Sequence, residues 1–220
     1  MKHLAAFLLP LFLVVPASPV AAQSDAPKEA PSRERGEGPY DRLVIRGATL
    51  IDGTGAPPRG PVDIVVEDDE ITTIQAVGAP GGPINADARP ETGTREIDAD
   101  GMYVLPGFVD MHTHLGGTAQ GTPAEYVLKL WMGHGVTTAR EVAAGNGLDW
   151  TLDHSSRSES NEITAPRLAV YPALGTGRDS PITTPKQSRE WVRMVAEQGA
   201  EGVKFFEAPP DVLKAAIQEA

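Results

Sequence analysis

The stretch "LPGFVDMHTHLGG", residues 105–117, carries two histidines one residue apart at the end of an apolar run. Side chains two residues apart on a strand point to the same face, so Asp110, His112 and His114 are predicted to share one face. Neutral imidazoles suit zinc and related metals, which makes His112 and His114 candidate ligands of one metal. Asp110 lies deeper in the strand, where a carboxylate could orient a ligand. The alternative is a pair of histidines hydrogen-bonded in a loop, because so short a motif also arises by chance.

Strands and helices alternate from residue 106 to residue 220. The predicted strands are "GFVDMHT", "GVTTAREV", "PRLAVYPAL" and "EGVKFFE", and a helical segment follows each of them. This alternation is typical of a parallel α/β sheet, in which the loops after the carboxyl ends of the strands form the functional face. Arg140 and Glu141, at the end of the second strand, could therefore reach the site. The loop at residues 175–178 is a candidate substrate loop for the same reason.

Two of these helices have clear start and stop residues. Thr122 is predicted to cap the first helix, with Pro123 at the first helical position and Gly135 as the stop. Thr184 and Gln187 are predicted to form a capping box on the third helix. His134 then falls in the last turn of the first helix, where a histidine favours the helix dipole. His154 is predicted to lie on a solvated face of the second helix.

Residues 42–105 have the sequence pattern of β-strands. The β-branched runs "RLVIRGATLID", "VDIVVEDDEITTI" and "REIDADGMYVLPG" are separated by turn clusters, and the second run is predicted to hold two strands around an acidic turn at residues 67–69. The segment therefore predicts a small sheet domain, packed as a sandwich or as a barrel edge.

The N-terminus is typical of an export signal. A positive start, an apolar run of signal length and small residues before Gln23 predict a signal peptide over residues 1–22, cleaved after Ala22. A transmembrane anchor is the alternative, but the run is short for a span and Pro10 interrupts it. Residues 23–41 are polar and rich in proline and charge, as in a disordered linker. A secreted or periplasmic protein follows, with no membrane association after cleavage.

Composition excludes some classes of function. The formal net charge of −11 disfavours binding to nucleic acid, whose phosphates are also negative. The chain has no cysteine, so its stability must come from a packed core rather than from disulfides. The sequence is compatible with a homo-oligomer.

The quoted motifs resemble the metal-dependent amidohydrolase superfamily. "VLPGFVDMHTHLGG" is similar to its first barrel strand, "LVIRGATLIDGTGAPP" with "VDIVVEDDEITTI" to its N-terminal β-sandwich, and "GVTTAREV" and "GAEGVKFFE" to its second and fourth strands. The closest branch is that of imidazolonepropionase-like enzymes and Xaa-Pro dipeptidases. The resemblance implies an α/β fold: a TIM-type (β/α)8 barrel, of which residues 106–220 supply about four units, after the first part of a β-sandwich at residues 42–105.

The resemblance also implies a set of metal ligands. His112 and His114 match the two ligands of the more buried metal, and Lys204 matches a lysine that is carboxylated and bridges two divalent metals, zinc above all. A lysine between Val203 and Phe205 on a buried strand is costly to keep charged, which agrees with that role. The alternative is a lysine whose amine reaches water at the strand end.

The remaining ligands of the family, two histidines and a catalytic aspartate, would follow residue 220. Since the last helix is cut and an open sheet edge is unfavourable, we expect the front half of a longer protein, inactive as a hydrolase alone. The implied reaction is metal-assisted hydrolysis of a C–N bond in an amide, cyclic amide or dipeptide, with no catalytic residue assigned here. The alternatives are a mononuclear deaminase-type member, in which Lys204 binds no metal, and a non-catalytic relative that acts as an interaction module.

Overall fold

The computed structural model describes residues 38–220. The predicted signal peptide and the predicted linker up to residue 37 lie outside these residues. Among the helices of residues 38–220, none has the length and the apolar composition that a membrane crossing requires.

The first sheet contains five strands: β1 (Arg42–Leu50), β2 (Arg59–Glu67), β3 (Glu70–Ala76), β4 (Arg95–Asp98) and β5 (Tyr103–Val104). Its order is β3-β2-β1-β4, and β5 also pairs with β1. β2 runs antiparallel to both β1 and β3, whereas β4 and β5 run parallel to β1. The predicted strands and the acidic turn between β2 and β3 are thus confirmed. A second sheet packed on this one, as in a sandwich, stays a prediction.

A buried ion pair fastens the loop before β4 to this sheet. Asp63 of β2 is fully buried, and its carboxylate accepts hydrogen bonds from Arg46 Nη1 at 2.9 Å and from the Gly47 N–H at 2.8 Å. The Arg46 guanidinium also donates to the Pro90 carbonyl oxygen at 2.9 Å and to Glu96 at 2.6 Å. One side chain of β1 therefore joins β2, the loop and β4.

A separate, parallel sheet contains β6 (Phe108–Thr113), β7 (Val136–Ala143) and β8 (Arg167–Pro172), in that order. The helices are α1 (Ala124–Gly133), α2 (Leu148–Glu159), α3 (Pro185–Glu197) and α4 (Pro210–Glu219). Fully buried side chains form the core between the parallel strands and the helices, among them Leu128, Val170, Trp191 and Val212. This confirms the predicted α/β alternation for three strands and four helices.

The predicted fourth strand of this sheet is wrong. Residues 201–207 form only an isolated parallel bridge between Lys204 and Ala173. The Glu201 carboxylate accepts the Val170 N–H at 2.6 Å, so a side chain takes a donor that a neighbouring strand could use. Gly202 lies against the Tyr171 ring so closely that a Cβ there would meet a ring carbon at 2.1 Å. The segment follows β8 in irregular conformation as a result.

The start of α1 also differs from the prediction. Pro123, not Thr122, is the N-cap of α1 and it makes no side-chain cap, while the Thr122 hydroxyl donates only a long bond of 3.4 Å to the Gln120 carbonyl oxygen. The capping box on α3 is confirmed, since the Thr184 hydroxyl accepts the Gln187 N–H and the Gln187 side chain accepts the Thr184 N–H.

These two threonines make a matched pair for a test. Thr184→Ala removes the acceptor of an otherwise unpaired helix N–H and is expected to lower the free energy of unfolding by about 1 kcal/mol. Thr122→Ala, which removes no cap, is expected to change it by less than about 0.5 kcal/mol. Urea unfolding of both variants measures the difference. Equal losses would mean that Thr122 caps α1 after all.

Candidate metal centre

The two histidines lie where β6 ends. Their ring centroids are 5.5 Å apart and the ring planes meet at 81°. Thr113, the residue between them, is buried, whereas both histidines are exposed. The two imidazoles therefore form an open pair at the carboxyl edge of the parallel sheet.

A bulge interrupts β6 between Asp110 and Thr113, the interval that contains His112. Asp110 pairs with Ala139 and Thr113 pairs with Glu141, so β6 advances three residues while β7 advances two. Strict alternation is therefore interrupted between Asp110 and Thr113, and a face shared by Asp110, His112 and His114 stays a prediction. An extra residue in one strand re-aims the side chains that follow it, and bulges are common beside active sites.

Three hydrogen bonds hold the bulge. The Asp110 carboxylate accepts the His112 N–H at 2.9 Å. Arg140 Nε donates to the Met111 carbonyl oxygen at 2.7 Å, and the Thr113 hydroxyl donates to the Arg140 carbonyl oxygen at 3.0 Å. The Arg140 guanidinium also lies over the Tyr171 ring, 5.0 Å from its centroid. The backbone that carries the two histidines is thus fixed by its own strand and by β7.

Glu141 of β7 reaches the second histidine. Its carboxylate oxygen Oε1 lies 3.5 Å from His114 Nδ1 and accepts the Ala144 N–H at 3.2 Å. Burial raises the pKa of Glu141 to about 7, against the opposing effect of the Ala144 N–H. The strand end beyond it is strained, since Ala143 and Ala144 have φ of 113° and 51°, values that residues with a Cβ rarely adopt.

Asn146 joins the loops that follow β6 and β7. Its amide donates to the Gly116 carbonyl oxygen at 2.6 Å and accepts the Ala119 N–H at 2.8 Å. Gly117 has φ of 75°, and a Cβ there would lie 2.7 Å from the Asn146 amide. Asn146 belongs to no sequence motif; the glycines on either side of it, at 145 and 147, were the available sign of a structured loop.

Lys204 lies at the same carboxyl edge, beyond β8. It is half-buried, its N–H donates to the Pro172 carbonyl oxygen at 2.8 Å, and its Nζ lies 5.5 Å from the centroid of the Phe206 ring. Neighbouring strands are about 4.8 Å apart, so Lys204 and the β6 histidines can share metals only if the sheet curves strongly. A metal role for Lys204 stays a prediction.

The other sequence candidates make contacts with residues other than His112 and His114. His134 caps the end of α1, with Nδ1 2.7 Å from the Leu130 carbonyl oxygen. His154 is not on a solvated face: its ring stacks on Trp150 at 3.9 Å between centroids, and Nδ1 lies 2.9 Å from the Trp150 carbonyl oxygen. The candidate substrate loop at residues 175–178 forms turns directly after β8, where the Thr176 carbonyl oxygen accepts the Trp191 indole N–H.

The donor atoms present fit part of a zinc site. Two imidazoles on one edge, with a buried carboxylate behind one of them, match the ligand chemistry of zinc and the usual support of a ligating histidine. Residues 38–220 contain no group of three or more His, Cys, Asp or Glu side chains that could hold a metal. His112 and His114 would therefore supply two of the roughly four ligands that zinc takes.

Comparison with known proteins relates this chain to one family. The profile described as "Amidohydrolase family" matches residues 95–159, which include β6, α1, β7 and α2. The imidazolonepropionase of Herpetosiphon aurantiacus is 32% identical over 142 residues, covering 62% of this chain and 32% of that protein. The D-hydantoinase of Streptomyces coelicolor is 34% identical over 122 residues, covering 56% of this chain and 22% of that protein.

Solved structures show the same fold. A Xaa-Pro dipeptidase with bound methionine in the active site superposes with a TM-score of 0.62 at 20% identity. The match covers 81% of this chain and 54% of that chain. The chain thus spans about a half of this structure and about a third or less of the two curated relatives.

Proposed function

Since the chain belongs to the amidohydrolase superfamily, we propose that the protein is a metal-dependent hydrolase of C–N bonds in small molecules or dipeptides. The observation that carries the proposal is the exposed His112–His114 pair on a bulge fixed by side-chain hydrogen bonds within β6 and from β7. Such a pair is a poor packing element, because two polar rings in water bury little apolar area. As metal ligands, the same rings explain why the bulge is held so firmly.

The chemistry that a divalent metal supplies when bound is a more acidic water and a polarised carbonyl. This chain's residues would hold and orient it. His112 and His114 bind it, and Asp110 and Arg140 keep the backbone of the pair in place. The cleaved bond would be an amide, a cyclic amide or the peptide bond of a dipeptide, as the names of the relatives suggest.

Finer features of the proposal rest on the sequence. We propose zinc as the metal, two ions per protein, and a carboxylated Lys204 bridging them. We also propose export, with cleavage after Ala22. A deaminase-type site with one metal is the enzymatic alternative, and metal content per chain separates one ion from two.

The test is an assay of the protein as its host makes it, alongside the 220-residue chain. Xaa-Pro dipeptides, N-acyl amino acids and hydantoins are offered before chelation, after chelation and after zinc is restored. We expect hydrolysis of at least one class, lost on chelation and recovered with zinc. Hydrolysis that persists after complete metal removal would contradict the proposal. Release of ammonia from a purine without amide cleavage would favour the deaminase alternative.

A further inference from the structure

Glu141 is a buried acid that packing does not explain, and its ion-pair contact is with His114. It is 3% exposed, and its oxygen Oε2 has no hydrogen-bond partner among the described residues. The neighbouring Arg140 does not neutralise it, because Arg140 Nε is bonded to the Met111 carbonyl oxygen and the guanidinium lies over Tyr171. A buried carboxylate without a cation is costly, so a leucine of similar size would serve packing better.

The carboxylate is directed at one atom of the candidate site. Oε1 lies 3.5 Å from His114 Nδ1 and also accepts the Ala144 N–H at 3.2 Å, which holds that oxygen in place. The two nitrogens of an imidazole lie on different edges of the ring. With Nδ1 facing Glu141, the ring edge that carries Nε2 faces away from Glu141. Nε2 is then free for a metal that His112 could also bind.

We propose that Glu141 is a positioning residue for His114. Its carboxylate accepts the His114 Nδ1–H, which fixes the tautomer and leaves the Nε2 lone pair as the donor to a divalent metal. The inference rests on the proposed function, because it concerns the same metal site. Carboxylates that orient ligating histidines in this way typically change metal affinity by 10–100-fold when removed.

The first readout is the tautomer of His114, which needs no metal and no activity. Nitrogen-15 NMR of the metal-free chain, at about pH 8 where an ordinary imidazole is neutral, distinguishes the two tautomers. We expect His114 to carry its proton on Nδ1 in the wild type and to become a mixture of tautomers in Glu141→Leu. A wild-type His114 protonated on Nε2, or a tautomer unchanged by Glu141→Leu, would overturn the inference.

The second readout is zinc affinity, measured by titration with zinc alone. Glu141→Leu is expected to weaken binding by 10–100-fold, while Glu141→Gln, whose amide oxygen can still accept Nδ1–H, should recover much of the loss. Glu159→Gln, an exposed acid at the end of α2, is the matched control and should bind as the wild type does. Because leucine removes a buried charge, melting of Glu141→Leu should show no loss of fold, and a loss of affinity then cannot come from unfolding.

The outcomes separate this inference from the proposed function. Zinc binding that depends on His112 but is equal in wild type, Glu141→Leu and Glu141→Gln would leave the metal site standing and overturn the role of Glu141. A wild-type chain that binds no zinc would count against the metal site, and the NMR result would still decide whether Glu141 orients His114.

Discussion

Replacing His112 or His114 with alanine is expected to weaken zinc binding by more than about 100-fold. This exceeds the 10–100-fold loss typical of removing a residue that only hydrogen-bonds to a metal ligand. Each change removes a direct ligand from a pair whose ring centroids are 5.5 Å apart. The remaining imidazole would bind zinc no better than a histidine on any protein surface. Equilibrium dialysis against zinc, with total metal analysis, measures the change.

The chain offers two matched controls for this experiment. His134 hydrogen-bonds to the Leu130 carbonyl oxygen at the end of α1, and the His154 ring stacks on Trp150. Neither is therefore expected to bind the metal held by His112 and His114 at the end of β6. His134→Ala and His154→Ala should keep the wild-type affinity for zinc. If all four alanine variants lose affinity equally, zinc binds through surface histidines in general, and the β6 pair has no special role.

Arg46→Met is expected to be the most destabilising of the changes considered, lowering the free energy of unfolding by about 3–5 kcal/mol. The change leaves Asp63 fully buried, with the Gly47 N–H at 2.8 Å as its remaining close donor and Arg89 Nε at 3.8 Å. The loss is the cost of an unpaired buried charge rather than the value of the ion pair itself. Urea unfolding measures it.

An exposed pair between β2 and the loop after β1 is the control. Arg59 lies 3.8 Å from Asp52 and its side chain is 56% exposed. Arg59→Met is expected to change the free energy of unfolding by less than about 1 kcal/mol, because water screens this pair. Similar losses for Arg46→Met and Arg59→Met would show that the buried pair does not fasten the sheet.

The same network gives a dependence on pH. The hydrogen bond from Arg46 lowers the pKa of Glu96 in the folded state. An acid with a lowered folded pKa adds stability that is present above its ordinary pKa and is lost as the pH falls through the folded value. The wild type should therefore lose this contribution in acid, and Arg46→Met should lack that part of the pH dependence.

The sequence predicted the elements well where local chemistry decides them. The capping box of Thr184 and Gln187, and the apolar runs of β1 and β2, depend on neighbours in the chain. The start of α1 was misplaced by one residue, because both Thr122 and Pro123 favour a helix start and sequence alone does not rank them. The fourth strand failed because a carboxylate from Glu201 and the ring of Tyr171 compete with regular pairing.

The metal-site residues named from the sequence stay a prediction, and the local geometry around His112 and His114 was not predicted. Two histidines at the end of an apolar strand predict a metal pair, whereas the bulge that contains His112 is held by the Arg140 side chain of a neighbouring strand. The contact between Glu141 and His114 likewise joins residues far apart in the chain. Asn146, which ties two loops together, has no motif of its own. Such contacts follow from the packing of strands and cannot be read from spacing.

The most direct test of the metal centre is a crystal of the protein grown with zinc and measured at the zinc absorption edge. We predict an anomalous peak about 2.0–2.1 Å from one nitrogen of His112 and from one nitrogen of His114, with His114 Nδ1 still facing Glu141. Well-ordered zinc bound elsewhere, with the His112 and His114 rings turned apart and no peak between them, would contradict the account.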